Sequence, residues 1–169
     1  MKKKNSLFIA QAGIIAAVYA ALCIILAPIS FSVFQVRVAE ALCVLPFFTS
    51  AAIPGLTIGC LIANIFGGAN IFDVVFGSCA TLIGALGSYL LRKSKFKFAV
   101  VIPPILANTF IIPFILKYAY EAEEAVPFMM LTVGVGEIIA VGILGSALLF
   151  ALMRTKAFSP KAGNTNSAG

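Results

Sequence analysis

Between Glu40 and Asp73 the chain carries no charged side chain, and the stretches from Leu7 to Ala27 and from Val74 to Leu91 are equally free of charge. A bilayer presents a hydrocarbon core about 30 Å thick, which a helix of about 20 apolar residues spans. Lipid offers the backbone no hydrogen-bond partner, so runs of this kind must satisfy their own peptide groups, as helices do. Composition agrees with that constraint. Hydrophobic residues make up 62% of the chain and charged ones 11%, with a mean hydropathy of +1.10, against about half and a quarter in a soluble domain. The expectation is an all-α integral membrane protein.

The formal charge of +6 does not point to nucleic acid. Nucleic-acid binding asks for a basic face or stripe, whereas these residues gather as Lys2 to Lys4, as Arg92, Lys93, Lys95 and Lys97, and as Arg154, Lys156 and Lys161. Each cluster flanks an apolar segment, the pattern of cytoplasmic loops. Cys23, Cys43, Cys60 and Cys79 lie in apolar stretches with no CxxC pair and there is no His, so no zinc site is expected and the thiols read as small apolar residues. No GxxxxGK[ST] loop occurs, so ATP hydrolysis by that route is excluded, and with no His the commonest general base is missing.

Three parts follow: a basic cytoplasmic N-terminus over residues 1–6, a transmembrane domain over 7–153, and a basic, then disordered, cytoplasmic tail over 154–169, rich in Ser, Asn, Gly and Ala. The first apolar run is too long for a secretory signal, lacks a small-residue cleavage site and is followed by further spans, so it reads as a helix ending near Pro28. Residues 38–66 are long for one span and short for two. Charge decides the count: breaking the stretch around Thr49 to Pro54 gives six spans and keeps all three basic clusters on one side, whereas five spans would put two of them outside. The third helix ends at Gly67 and Gly68, the fourth covers about Ile71 to Leu91, the fifth Phe98 to Lys117, and the sixth Val126 to Met153. The fold class is thus a compact bundle of six transmembrane helices with both termini cytoplasmic.

Against this apolar background a few polar residues stand out. Burying a charge in lipid costs roughly 2.5 to 3.5 kcal/mol on insertion scales, so such groups are expected to face a partner or a cavity. In the six-span topology Arg37, Glu40, Asn64, Asn70 and Asp73 converge on the outer half of the membrane, with Asn108 and Glu137 nearer the midplane. A pocket entered from outside is the implied feature. Each residue also has a plainer role: Arg37 and Glu40, three apart, can pair with each other, Asn70 and Asp73 can cap the fourth helix, and Asn64 can close the third. Asn108 can bond a neighbouring helix. Glu137, preceded by Gly134 and Gly136, is either a protonated acid bonded to a carbonyl or an acceptor able to take two donors from one edge of a ligand. On the first helix Ala16, Ala17, Ala20 and Ala21 form two overlapping small-residue pairs that suit close helix contact, within the chain or with a partner.

The stretches VRVAEALCVLPFF, AIPGLTIGCLIANIFGG, DVVFGSCATL, PPILAN and VGVGE, in this order and spacing, resemble the QueT-type queuosine precursor transporters, substrate-binding S components of energy-coupling factor (ECF) transporters. The likeness runs from about Gly13 to Leu152 and departs from the family at Ala39, where Ser is more usual. It implies a six-helix protein of the prokaryotic plasma membrane with no cofactor of its own, which captures a 7-deazaguanine such as 7-aminomethyl-7-deazaguanine at the outer face. ATP would be used by partners: a transmembrane coupling subunit and two cytoplasmic ATPases. It also implies docking of the coupling subunit on the Ala16, Ala17, Ala20 and Ala21 surface. For the cargo, Glu137 is expected on the guanine-like edge, Asn108 or Asn64 on the carbonyl or ring edge, and Asp73 or Glu40 on the ammonium. Phe34, and less directly Phe66 or Phe72, are the stacking candidates. Three other readings compete, one of them a scaffold or assembly subunit with no cargo, which the gathering of the polar residues on one side of the membrane disfavours. Another is an S component for a different vitamin or nucleobase, since fold does not fix cargo. The last is a membrane enzyme using paired carboxylates, Glu40 with Asp73 or Glu137.

Overall fold

The structure is a computed structural model that describes residues 2–26 and 37–155. Phe34, the helix end expected at Pro28 and the tail from Ala157 lie outside the described residues. Within them the chain is all helical, with six helices: α1 (Lys2–Ile25), α2 (Val38–Phe47), α3 (Ala52–Phe66), α4 (Asp73–Leu91), α5 (Lys97–Ala119) and α6 (Val126–Arg154). The break between α2 and α3 falls at residues 48–51, inside the Thr49 to Pro54 window expected from sequence. α1 begins at Lys2 and not at Leu7, because residues 2–6 contain no Gly or Pro and adding residues to an existing helix costs far less than starting one.

Four helices, α1, α4, α5 and α6, are long and apolar enough to cross a membrane. Each has less than half of its apolar stretch buried inside the protein, and large side chains such as Ile9, Phe66, Leu90, Leu131 and Ile143 point outward. Apolar exposure on this scale, all round a bundle, is what lipid covers.

α2 and α3 are shorter, and α2 departs from the α form. It is wound as a 3-10 helix over its ten residues, which at about 2.0 Å per residue extends it to roughly 20 Å, close to the roughly 22 Å of the fifteen-residue α3. Seven of those residues are buried, Glu40 included, and α2 packs against α1, α3, α4 and α6. A helix apolar on all sides belongs in an interior. The centre of the bundle is therefore a short element whose surroundings are protein.

α1 and α3 pack closely. A Cβ at Gly59 would stand 2.8 Å from Tyr19 Cβ and 2.9 Å from the Ala16 carbonyl oxygen, so the two backbones meet only because no side chain is there. α3 stops at Gly68, whose φ of +71° is the left-handed conformation that glycine adopts without strain. Its N–H donates to the Ile65 carbonyl and that of Ala69 to the Asn64 carbonyl at 2.9 Å, the paired hydrogen bonds of a Schellman stop. The turn delivers the chain directly into α4.

Candidate substrate-binding site

Arg37 stands just before α2 with an extended backbone, φ −81° and ψ 94°, so its side chain leaves along a path that helix periodicity does not set. It reaches α4. Arg37 Nη2 lies 3.4 Å from Asp73 Oδ2, an ion pair whose side chains are 7% and 4% exposed. The pairing of Arg37 with Glu40 that their spacing allows is not the hydrogen-bonded one. Glu40 instead accepts from the Tyr19 hydroxyl of α1 and, at 2.9 Å, from the Cys43 thiol one turn along α2. Both oxygens of Glu40 are thereby engaged.

Asp73 is the most connected residue of the outer end. Its Oδ2 also accepts from the Tyr120 hydroxyl at 3.3 Å, and its backbone carbonyl accepts from Asn64 Nδ2 at 3.2 Å. Asp73 opens a π turn, Asp73–Gly77, in which one residue more than usual is wound into the helix, a feature common at functional sites. A Cβ at Gly77 would lie 2.8 Å from Asp73 Oδ1 and 3.2 Å from Asn64 Nδ2. Gly77 is thus the floor on which this carboxylate rests.

Asn70 faces structural partners. Its Nδ2 donates to the Ala119 carbonyl at 3.0 Å, its Oδ1 accepts from the Phe72 N–H at 3.0 Å, and its own N–H donates to Tyr120 at 2.9 Å. It ties the start of α4 to the end of α5 and caps the first turn of α4, so capping falls to Asn70 while the Asp73 side chain turns inward.

Deeper in the bundle, Asn108 of α5 and Glu137 of α6 are 4% and 3% exposed. Glu137 Oε2 has no hydrogen-bond partner. Glu137 is the last residue before a second π segment, Ile138–Gly145. Glu40 and Arg37 are near enough for their charges to act on it. The Thr109 hydroxyl is also unpartnered and lies 3.4 Å from where a Gly134 Cβ would stand, one helical turn from Glu137. Arg37, Glu40, Asn64, Asp73, Asn108 and Glu137 therefore belong to one buried assembly drawn from α2 to α6, with Asn70 at its outer margin.

Tyr19, Tyr120 and Gly77 are participants that sequence reasoning passed over. Tyr19 was legible in principle, since a Tyr deep in an apolar span needs a partner for its hydroxyl. Tyr120 and Gly77 carry no comparable signal. The thiols are more than packing: Cys43 donates to Glu40, and Cys60 accepts from Asn64 at 3.6 Å. No group of three His, Cys, Asp or Glu among the described residues is arranged to hold a metal ion.

Two further surfaces lie apart from this assembly. The alanines of α1 divide: Ala16 and Ala20 are buried in the contact with α3, while Ala17 and Ala21 are exposed. Between α4 and α5 runs an apolar cavity of about 350 Å³, lined by Phe72, Phe76, Phe110, Phe114, Tyr118 and their neighbours, which none of the buried polar residues reaches.

An all-helical chain with four membrane-length apolar helices and a set of buried polar residues is a multi-pass membrane protein. The sequence model of the QueT transporter family matches residues 9–154, and the chain belongs to that family. It is a transport protein and not an enzyme. Comparison with curated proteins and with solved structures finds no match.

Proposed function

We propose that this protein is the substrate-capture S subunit of an ECF-type importer, taking a queuosine precursor of the 7-deazaguanine class from the outer face of a prokaryotic plasma membrane. In this reading α2 and α3 complete six spans, both termini are cytoplasmic, and ATP is spent by a separate module of one coupling subunit and two ATPases. The observation that carries it is the buried assembly around Glu137, in a chain of a transporter family, with a carboxylate oxygen left without a partner.

Glu137, Asn108, Asn64, Asp73, Glu40 and Arg37 form the binding site in this proposal, with Asn70 holding its rim and Phe34 stacking on the base. A deazaguanine presents N–H donors on one edge and a carbonyl on another, which an acid and an amide complement. The exposed pair Ala17 and Ala21 is the part of the alanine stripe left for the coupling subunit, since Ala16 and Ala20 are used against α3. Small residues allow such a partner helix to approach closely.

Competition binding to the purified protein in detergent tests the cargo. 7-Aminomethyl-7-deazaguanine should bind, and guanine, thiamine and other vitamins should fail to displace it at equal concentration. A vitamin that binds while every deazaguanine fails would transfer the protein to a different cargo class.

A further inference from the structure

Among the described residues, one end of the bundle carries cations and no acid. Phe48 after α2, Leu91 of α4, Val100 of α5 and Met153 of α6 pack in a single cluster, so these segments meet at the same end. Gln11 of α1 joins them, accepting from the Thr49 hydroxyl at 3.2 Å. Lys4, Arg92, Lys93, Lys95, Lys97 and Arg154 stand at or beyond this level. The acids are elsewhere: Glu40, Asp73 and Glu137 are buried, and Glu121, Glu123 and Glu124 follow α5 at the opposite end.

The charge is interleaved with bare aromatic rings. In the loop from α4 to α5, Lys93, Lys95 and Lys97 are exposed, and so are Phe96 and Phe98, Phe96 at 79%. Rings that open to water lose their apolar burial, whereas at a bilayer surface rings settle among headgroups while cations reach phosphates. The two arginines lie in keeping with such a surface. The Arg154 guanidinium rests 4.3 Å from the centroid of the Phe150 ring, which is itself exposed on the outside of α6. Arg92 lies back over Tyr89 at 3.4 Å, its Nη1 donating to the Tyr89 carbonyl at 2.8 Å. Each guanidinium is thus held against the preceding helical turn, at the depth where headgroups lie, instead of reaching out into water.

The loop is also fixed in place. A Cβ at Gly84 would stand 2.7 Å from Pro104 Cα, and the Ser88 hydroxyl donates to the Val100 carbonyl at 2.6 Å, so α4 and α5 are clamped together beside it. Within the loop the Ser94 N–H donates to the Leu91 carbonyl at 2.9 Å and the Phe96 N–H to the Ser94 hydroxyl at 3.3 Å. Little ordering entropy remains to be lost when a ligand arrives.

We propose that residues 92–98, with Arg154 at the same level, form a binding site for an anionic phospholipid: the cations take its phosphate and acidic headgroup, and Phe96 and Phe98 sit at its acyl boundary. The site is independent of the cargo and requires only that the chain lie in a membrane.

The test reconstitutes the full-length protein in phosphatidylcholine vesicles and compares, by electron paramagnetic resonance, how strongly spin-labelled phosphatidylglycerol and spin-labelled phosphatidylcholine associate with it. Wild type should favour phosphatidylglycerol about fivefold, the equivalent of one well-placed cation at a charged surface. Replacing the lysines together, as Lys93→Gln, Lys95→Gln and Lys97→Gln, should bring the ratio to about 1.5 or less. Damage to the fold would also change the association of phosphatidylcholine, which serves as the internal reference. Lys117→Gln removes a cation at the opposite end and should leave the ratio as in wild type; a fall like that of the triple variant would make overall charge the cause and overturn the site. A wild-type ratio under about 1.5 overturns the proposal and leaves an acidic protein surface as the partner of this end. A preference that survives in the triple variant overturns the assignment to the loop.

Discussion

The outer end of the assembly and its centre are built on opposite terms. Around Asp73 the polar groups converge on one another: Arg37, Tyr120 and Asn64 all bond to it, and Asn70 stitches the neighbouring helix ends together. Asp73 Oδ1 is unpartnered too, but that carboxylate is held by the Arg37 ion pair; around Glu137 an oxygen and a neighbouring hydroxyl are left over and, among the described residues, no ion pair holds the carboxyl. A buried polar group without a partner costs about 1 to 3 kcal/mol, so a protein keeps one where something else completes it. The first region holds helices in place, and the second is where the proposed function puts the ligand. Stability and binding should therefore separate between them.

The largest effect expected on folding is that of Asp73→Ala. Removing it leaves the Arg37 guanidinium buried without its ion-pair partner, which should cost about 3 to 5 kcal/mol and lower the melting temperature of the detergent-solubilised protein steeply. Glu137→Gln should shift the melting temperature by the equivalent of about 0.5 kcal/mol or less, because no internal ion pair is broken. Equal losses from the two substitutions would erase the contrast between the regions.

Gly77→Ala sharpens the comparison at intermediate size. The added methyl must displace the Asp73 carboxylate or the Asn64 amide, which should cost about 1 to 3 kcal/mol as overpacking does elsewhere. A thermal melt indistinguishable from wild type would show that the π turn yields easily and does not fix Asp73. A smaller loss than at Gly77 is expected of Tyr120→Phe, which removes a hydroxyl that bonds Asp73 and the Asn70 N–H at the partly exposed rim. About 0.5 to 1.5 kcal/mol should be lost, visible as faster hydrogen exchange at the start of α4. Unchanged exchange there would place the fastening of α4 to α5 on Asn70 alone.

Helix positions were legible because hydropathy is a property summed along the chain, and neither lipid nor a buried interior alters the sum. The break at residues 48–51 and the stop at Gly68 follow from Pro, Gly and small polar residues that act within a few positions of themselves. Winding was not legible. α2 as a 3-10 helix and the two π segments use the same apolar residues as the α-helices beside them, and only the length each element must cover and the neighbours it must meet distinguish them.

The site divides in the same way. That Arg37, Glu40, Asn64, Asp73, Asn108 and Glu137 belong inside was set by the sequence, since each is too polar to face lipid beside so many residues that are not. Which of them pair was decided by the tertiary structure. Spacing put Glu40 within reach of Arg37, but the extended backbone at Arg37 carries its side chain across to α4, and Tyr19 arrives at Glu40 from α1, 21 positions away. The alanine stripe shows the same limit. Residues one apart on a helix point about 100° apart, so Ala16 and Ala20 form one face and Ala17 and Ala21 another. The sequence determined that there were two such faces and six helices to arrange. Only the close approach of α3, allowed by Gly59, decided which face was already used, because that contact joins atoms distant along the chain.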